Sequence, residues 1–227
     1  MDEYFLEVEK ELVAFLRQDE RYSSKKAKLI DWGGDAIQEY DDYTFRVEYI
    51  RKKFRMRSSG LYFMLTHNEF PSEMVDLWRK KNYLNVSSYG SGPGSDLIGF
   101  HQFCTKQNIN TNLQALDTEL GWESSIRQLN ALCNTHINFV HIQDDLVSNL
   151  KFFYRCDVLI LSWVIHLVKT EGILQLLLNA LPETTIIVRD RFGSSLYSLF
   201  PNCKQTFIED SFENKKNQQI VLYNIDM

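Results

Sequence analysis

The stretch Leu84-Asn85-Val86-Ser87-Ser88-Tyr89-Gly90-Ser91-Gly92-Pro93-Gly94-Ser95-Asp96 decides the fold. An apolar, strand-like run enters a turn of three glycines, and an apolar pattern with helical spacing leaves it. Gly90 and Gly92 permit backbone angles that a β-carbon forbids and let a ligand approach the main chain closely. Asp96 stands where a helix begins, and a helix N-terminus there presents unpaired N–H groups to a polar ligand. Strand, glycine turn and helix in that order read as a nucleotide-cradling turn.

From Leu84 onward, short β-branched or apolar runs alternate with helical ones, the pattern of βαβ units and a parallel sheet. Strands are expected at 84–89, 111–116, 137–142, 156–162 and 184–189, with helices near 96–107, 123–133, 145–152 and 170–181. The tail differs. Gln205 to Ile208 and Gln219 to Ile225 are strand-like and flank the polar stretch Glu213 to Gln218, which predicts an antiparallel hairpin. Upstream of the turn the chain is helical. Periodic segments run from Glu3 to Arg17, Lys25 to Tyr40, Tyr43 to Met56, Leu61 to Thr66 and Ser72 to Lys81, with breaks expected at Gly33-Gly34, Ser58-Ser59-Gly60 and Pro71. This divides the chain into an N-terminal helical region, residues 1–83, and a nucleotide-binding domain, residues 84–227. The helical region is expected to pack on the sheet, because four prolines and no linker-like tract leave nothing to hold it apart.

With 227 residues, 44% of them hydrophobic, the chain can bury a substantial core. A formal charge of −5 and a pI near 5.6 exclude a uniformly basic nucleic-acid binder, although not a local basic patch. Cys104, Cys133, Cys156 and Cys203 form no CxxC pair, so neither a zinc knuckle nor a disulfide framework is expected, and no metal is required. Reduced thiols and an acidic N-terminus without an export signal point to the cytoplasm or nucleus. The longest apolar stretch, Val158 to Val168, is about half of the ~20 residues a membrane helix needs, so no membrane partner is expected.

The spacing of the turn narrows the nucleotide. A nicotinamide-binding G-x-G-x-x-G turn would put its third glycine where this chain has Ser95; here Gly90, Gly92 and Gly94 form G-x-G-x-G. Asp117 closes the next strand, where a carboxylate can accept hydrogen bonds from two adjacent ribose hydroxyls; its alternative is an ordinary strand-end residue.

At these residues the chain resembles the class I S-adenosylmethionine-dependent methyltransferases, over residues 84–225. The resemblance implies a Rossmann-like, seven-stranded, mostly parallel α/β sheet with an antiparallel last strand. It implies S-adenosylmethionine as cofactor, its amino-acid end on the turn of Tyr89, Gly90, Ser91, Gly92 and Gly94, its ribose at Asp117 beside Thr118. Its adenine would meet Asp144 or Asp145, with Leu146 packed on the ring. The loop after the fourth strand, Ser162 and Trp163 through His166, would face the reacting methyl group. The family usually carries an acid two residues before the first glycine; this chain has Ser88.

His166 is the candidate catalytic base or acceptor-orienting group, against the alternative of a packed loop histidine. Trp163 and Trp122 could wall the acceptor and adenosine pockets, or be core aromatics. Ser-Trp-Val-Ile stands where adenine-N6 and glutamine methylating enzymes carry Asn/Asp-Pro-Pro-Tyr, and no hydrolase, metalloprotease or P-loop motif is present. The basic run Arg46, Arg51, Lys52, Lys53, Arg55 and Arg57, with Arg79, Lys80 and Lys81, could engage RNA phosphates or form a solvated helix face. The acceptor is unidentified: a small molecule and RNA stand nearly level and a protein side chain is third, with DNA not expected and the oligomeric state open. A non-catalytic binding or scaffold protein on the same fold is the alternative.

Overall fold

The computed structural model describes residues 1–30, 32, 39–142, 155–162, 184–190, 204–210 and 217–223, the last two segments and Asp190 by backbone alone. In chain order, helices α1 (Asp2–Leu16), α2 (Ser24–Ala27), α3 (Tyr43–Leu65) and α4 (Ser72–Arg79) precede β1 (Leu84–Tyr89). There follow α5 (Ser95–Lys106), β2 (Thr111–Asp117), a 3-10 turn at Leu120–Trp122, α6 (Glu123–Leu132) and β3 (Ile137–His141). Strands β4 (Val158–Ser162), β5 (Thr185–Asp190), β6 (Lys204–Asp210) and β7 (Asn217–Tyr223) complete the described chain.

The strands form one sheet in the order β3-β2-β1-β4-β5-β7-β6. The first five are mutually parallel, while β7 runs antiparallel to both β5 and β6. Strand order reverses at β1, which pairs β2 on one side and β4 on the other, and such a switch opens a crevice beyond the strands' C-terminal ends. The all-buried run Val158-Leu159-Ile160-Leu161-Ser162 of β4 fits a parallel strand covered on both faces.

Right-handed crossovers place α5 and α6 on one face of the sheet. Helix α3 packs along α5, and α1 crosses α3 and α6. The two regions share one hydrophobic core: Phe5, Leu12, Ile50, Phe54 and Trp78 join Leu97, Phe100, Val86, Val158 and Ile187. The expected break at Ser58-Ser59-Gly60 does not occur, and α3 runs unbroken through all three residues, each of them buried. Small side chains serve close approach there. A β-carbon on Gly99 of α5 would overlap the carbonyl oxygen of Ser58 and lie 3.0 Å from its carbonyl carbon, and the Ser58 hydroxyl donates to the Ser95 carbonyl at 2.8 Å. The helix expected over Lys25–Tyr40 is described only as the single turn α2; residues 31 and 33–38, and the helices expected at 145–152 and 170–181, lie outside the described residues.

Candidate functional site

The glycine turn forms as its spacing requires. Gly90, Gly92 and Gly94 all have positive φ, at 62°, 53° and 81°. The Ser91 N–H donates to the Leu116 carbonyl of β2 at 3.1 Å, and the Gly94 N–H closes the turn on the Ser91 carbonyl at 3.1 Å. Gly94 caps α5 in the left-handed region, and a β-carbon there would rest in ordinary contact with Ile126, Ile137 and Leu129 at 3.5–3.8 Å. Gly92 differs: among the described residues, a β-carbon added there would meet nothing within 4 Å. One glycine thus faces the core and the other faces open space.

Asp117, at the end of β2, converges on this turn. Its Oδ2 accepts from the Gly92 N–H at 2.7 Å and its Oδ1 from the Glu119 N–H at 2.9 Å. Only 8% of the residue is exposed, and burial pushes the carboxyl above the usual aspartate range, opposed by the N–H donors of Glu119, Gly92 and Thr118. Three N–H donors still leave the carboxylate lone-pair capacity for a ligand hydroxyl. Thr118 contributes its carbonyl to an N–H of His141, whose Nε2 lies 2.9 Å away at the end of β3. Sequence reasoning missed His141; its register opposite Asp117 appears only once β2 and β3 pair.

Tyr89 is buried at the end of β1, and Ser162 is buried at the end of β4. Among the described residues, the hydroxyls of Ser91, Ser95 and Ser162 are all buried without a hydrogen-bond partner. Ser95 was absent from the sequence-derived site, because a serine opening a helix carries no local signal of binding. Asp144, Asp145, Leu146, Trp163 and His166 lie outside the described residues.

Helix α3 meets the segment after β2 from the N-terminal region. Arg46 donates to the carbonyls of Tyr40 and Asp41 at 2.6 and 2.9 Å and reaches Glu119 at 3.4 Å. Trp122 is 2% exposed and packs its ring 5.8 Å from those of both Tyr40 and Tyr49, so it is a core aromatic joining the segment after β2 to α3. Burial, with Tyr49 adjacent, raises the Tyr40 phenol. Farther along α3, Arg189 of β5 pairs with Asp96 at 2.6 Å, both 3% exposed, and donates to the Arg57 carbonyl at 2.8 Å. The basic run is largely engaged within the protein. Arg51 meets Glu48 at 2.5 Å, Arg55 meets Asp2, Arg57 lies over Tyr49, Arg79 meets Asp76 and Lys81 meets Asp157.

A candidate class I S-adenosylmethionine-dependent methyltransferase from Listeria monocytogenes superposes on the whole of this chain, over 89% of its own, with a TM-score of 0.55 at 11% identity. The fold is that of the class I S-adenosylmethionine-dependent methyltransferases. WbdD matches over 78% of this chain with a TM-score of 0.54 at 17% identity, and this chain spans 42% of it. TrmK of M. capricolum, solved with S-adenosylhomocysteine, matches over 68% of this chain and 67% of its own at 12% identity, with a TM-score of 0.44. No protein-family model and no curated protein sequence matches the chain. Among the described residues, no helix is long and apolar enough to cross a membrane.

The residues present fit the cofactor of this methyltransferase fold on two counts. Gly92 leaves an open cradle at the main chain, and three buried hydroxyls border the turn with hydrogen-bonding capacity to spare.

Proposed function

We propose that this protein is an S-adenosylmethionine-dependent methyltransferase whose acceptor is a small molecule or RNA. The observation that carries the reading is the 2.7 Å bond from the Gly92 N–H to Asp117, which draws a positive-φ glycine turn and a strand-end carboxylate together at the switch point of the sheet. That bond also compensates for Ser88, since the tie on the turn comes from the neighbouring strand instead of from an acid at position 88. The division into residues 1–83 and residues 84–227, with the first region walling the acceptor pocket, belongs to the same reading. So does the antiparallel close of the seven-stranded sheet.

In this proposal Tyr89, Gly90, Ser91, Gly92 and Gly94 hold the amino-acid end of the cofactor, and the Asp117 carboxylate, beside Thr118, accepts from the ribose. Ser162 and Trp163 border the reacting centre. Asp144 or Asp145 and Leu146 take the adenine, and His166 orients or deprotonates the acceptor. The bound cofactor supplies an already reactive sulfonium methyl, so the chain's task is alignment and exclusion of water, and in-line placement contributes several kcal/mol to the rate. No observation on the described residues favours the inactive alternative. The internal pairing of Arg46, Arg51, Arg55 and Arg57 weighs against RNA and toward a small acceptor.

Isothermal titration with S-adenosylmethionine tests the cofactor; no binding at millimolar concentration overturns the proposal. A tritiated-methyl screen of cell extract, separated into RNA, protein and small-molecule fractions, then identifies the acceptor class. Binding without transfer to any fraction would favour the scaffold.

A further inference from the structure

Arg46 stands in the first turn of α3, is 8% exposed, and ties three segments together. Its guanidinium donates to the Tyr40 and Asp41 carbonyls ahead of the helix and pairs with Glu119, beyond β2, at 3.4 Å. It also takes the place of a side chain at position 121. A β-carbon on Gly121 would fall 2.2 Å from its Cζ, 2.4 Å from Nη1 and 2.6 Å from Nε. Gly121 lacks the positive φ of the three turn glycines, so the close approach of Arg46, and not backbone conformation, accounts for a glycine there.

The contact passes from this pair to the sheet in two steps. Oε1 of Glu119 accepts from the Gly121 N–H at 2.8 Å as well as from Arg46, and the Glu119 N–H donates to Oδ1 of Asp117 at 2.9 Å. Burial disfavours the Arg46 charge, and Glu119 is the foremost of the charges that support it. A buried guanidinium parted from its carboxylate is costly, so the ion pair favours one placement of residues 119–121. Trp122, packed against Tyr40 and Tyr49, holds the end of the same short turn.

Resting on the cofactor reading above, we propose that Arg46 is a positioning residue for the ribose site: through Gly121 and Glu119 it sets the turn after β2, and with it the direction of the Asp117 carboxylate. Arg46 touches no ligand in this role. The N-terminal region thereby governs recognition of the ribose from behind the residue that binds it. Lysine would not serve, because a point charge on a flexible stem does not reproduce a planar group seated on a glycine.

Two nucleosides that differ only in the ribose hydroxyls read the effect. Adenosine and 2′,3′-dideoxyadenosine are each titrated against the full chain by displacement of S-adenosylhomocysteine. Wild-type protein is expected to prefer adenosine about tenfold or more, and Arg46→Ala to bring the two within about threefold with 2′,3′-dideoxyadenosine affinity unchanged. A residue that only supports the fold would weaken both ligands alike; that outcome, or an unaltered preference, overturns the proposal. Gly121→Ala should erode the preference to the same extent and add nothing in Arg46→Ala protein, since the atoms nearest the new methyl belong to the guanidinium. Losses that add in the double variant likewise overturn it. Should Arg46→Ala not fold by circular dichroism, Gly121→Ala carries the same comparison.

Amide hydrogen exchange supplies a reading that needs no ligand. In either variant the Glu119 N–H, bonded to the Asp117 carboxylate, should exchange about tenfold faster, while the Ile142 N–H, bonded to the Asp117 carbonyl, keeps its protection. If S-adenosylhomocysteine does not bind wild-type protein, or wild-type protein does not distinguish the two nucleosides, the ribose reading itself fails. Exchange at Glu119 then decides alone: selective acceleration upholds control of Asp117 by Arg46, and unchanged exchange overturns it.

Discussion

In the proposed site Asp117 carries two tasks on one carboxylate, holding the turn and accepting from the ribose, and a substitution tests both. Asp117→Ala releases the Gly92 and Glu119 N–H groups together with any ribose hydroxyls, and cofactor affinity is expected to weaken by about 1–3 kcal/mol. Calorimetry checks this, and unchanged affinity removes Asp117 from the site. The raised carboxyl fixes the sign of the pH dependence. Because the folded protein holds the proton more tightly than the unfolded chain, Asp117 favours folding most below the usual aspartate pKa. That contribution declines as pH rises through the raised folded value. Wild-type stability relative to Asp117→Ala should therefore fall across that window, in paired denaturant titrations, while affinity for the cofactor rises as the ribose-accepting carboxylate ionises. Gly92 and Gly94 form a second contrast. Both hold positive φ, so an alanine at either costs about 1 kcal/mol or more in strain. Only at Gly92 would the new methyl project into open space, so Gly92→Ala should lose cofactor binding out of proportion to its stability. Gly94→Ala, its methyl turned to the core beside Ile126 and Ile137, should lose mainly stability through the backbone strain. Equal loss of binding per unit of stability in the two variants would mean the crevice is not at Gly92.

The α3–α5 crossing is where element-scale reasoning from sequence failed, and the failure is instructive. Ser58-Ser59-Gly60 has the composition of a helix break, yet these residues are the surface on which one helix backbone approaches another. Local propensity costs a few tenths to one kcal/mol per residue, which burial of Phe54, Leu61, Met64 and Leu65 on the same helix outweighs. Gly99→Ala tests the crossing. Its methyl would collide with the Ser58 carbonyl, a backbone group that cannot rotate aside, so destabilisation of at least about 1–3 kcal/mol is expected in thermal or denaturant melts. Retention of wild-type stability would mean the helices sit farther apart than described. Where elements are local, the sequence was legible: β1 spans the expected 84–89, and β2, α5 and α6 fall within one residue of expectation at each end. The glycine turn was legible for the same reason, because positive φ selects its residue type. Ser95, Arg189 and His141 were not, since their place at the crevice follows from register and helix crossing, which no local spacing encodes.

At the scale of the whole molecule, the boundary at residue 83 marks a change of texture, while the core runs across it. Phe100 and Phe103 on α5 pack against Trp78 at 5.5 and 6.5 Å, Phe103 also meets Phe70 at 6.4 Å, and α1 lies against α6. Phe100 is fully buried and Phe103 is 2% exposed. Each large apolar side chain returned to water forfeits about 1.5–3 kcal/mol, and a whole domain is stable by only about 5–15 kcal/mol. Exposing two phenylalanines and the covered face of α6 therefore consumes most or all of the margin of the sheet domain. Cutting at residue 83 also severs Ser58 from Ser95 and leaves Arg189 and Asp96 without the backbone that roofs them, and a half-stripped buried ion pair is costly. A fragment of residues 84–227 is accordingly expected to aggregate or to melt broadly with dye-binding apolar surface, whereas the full chain unfolds in one cooperative transition followed identically by fluorescence and circular dichroism. A sharp, independent melt of the fragment would show that the N-terminal helices are an appendage, and would remove them from the proposed wall of the acceptor pocket.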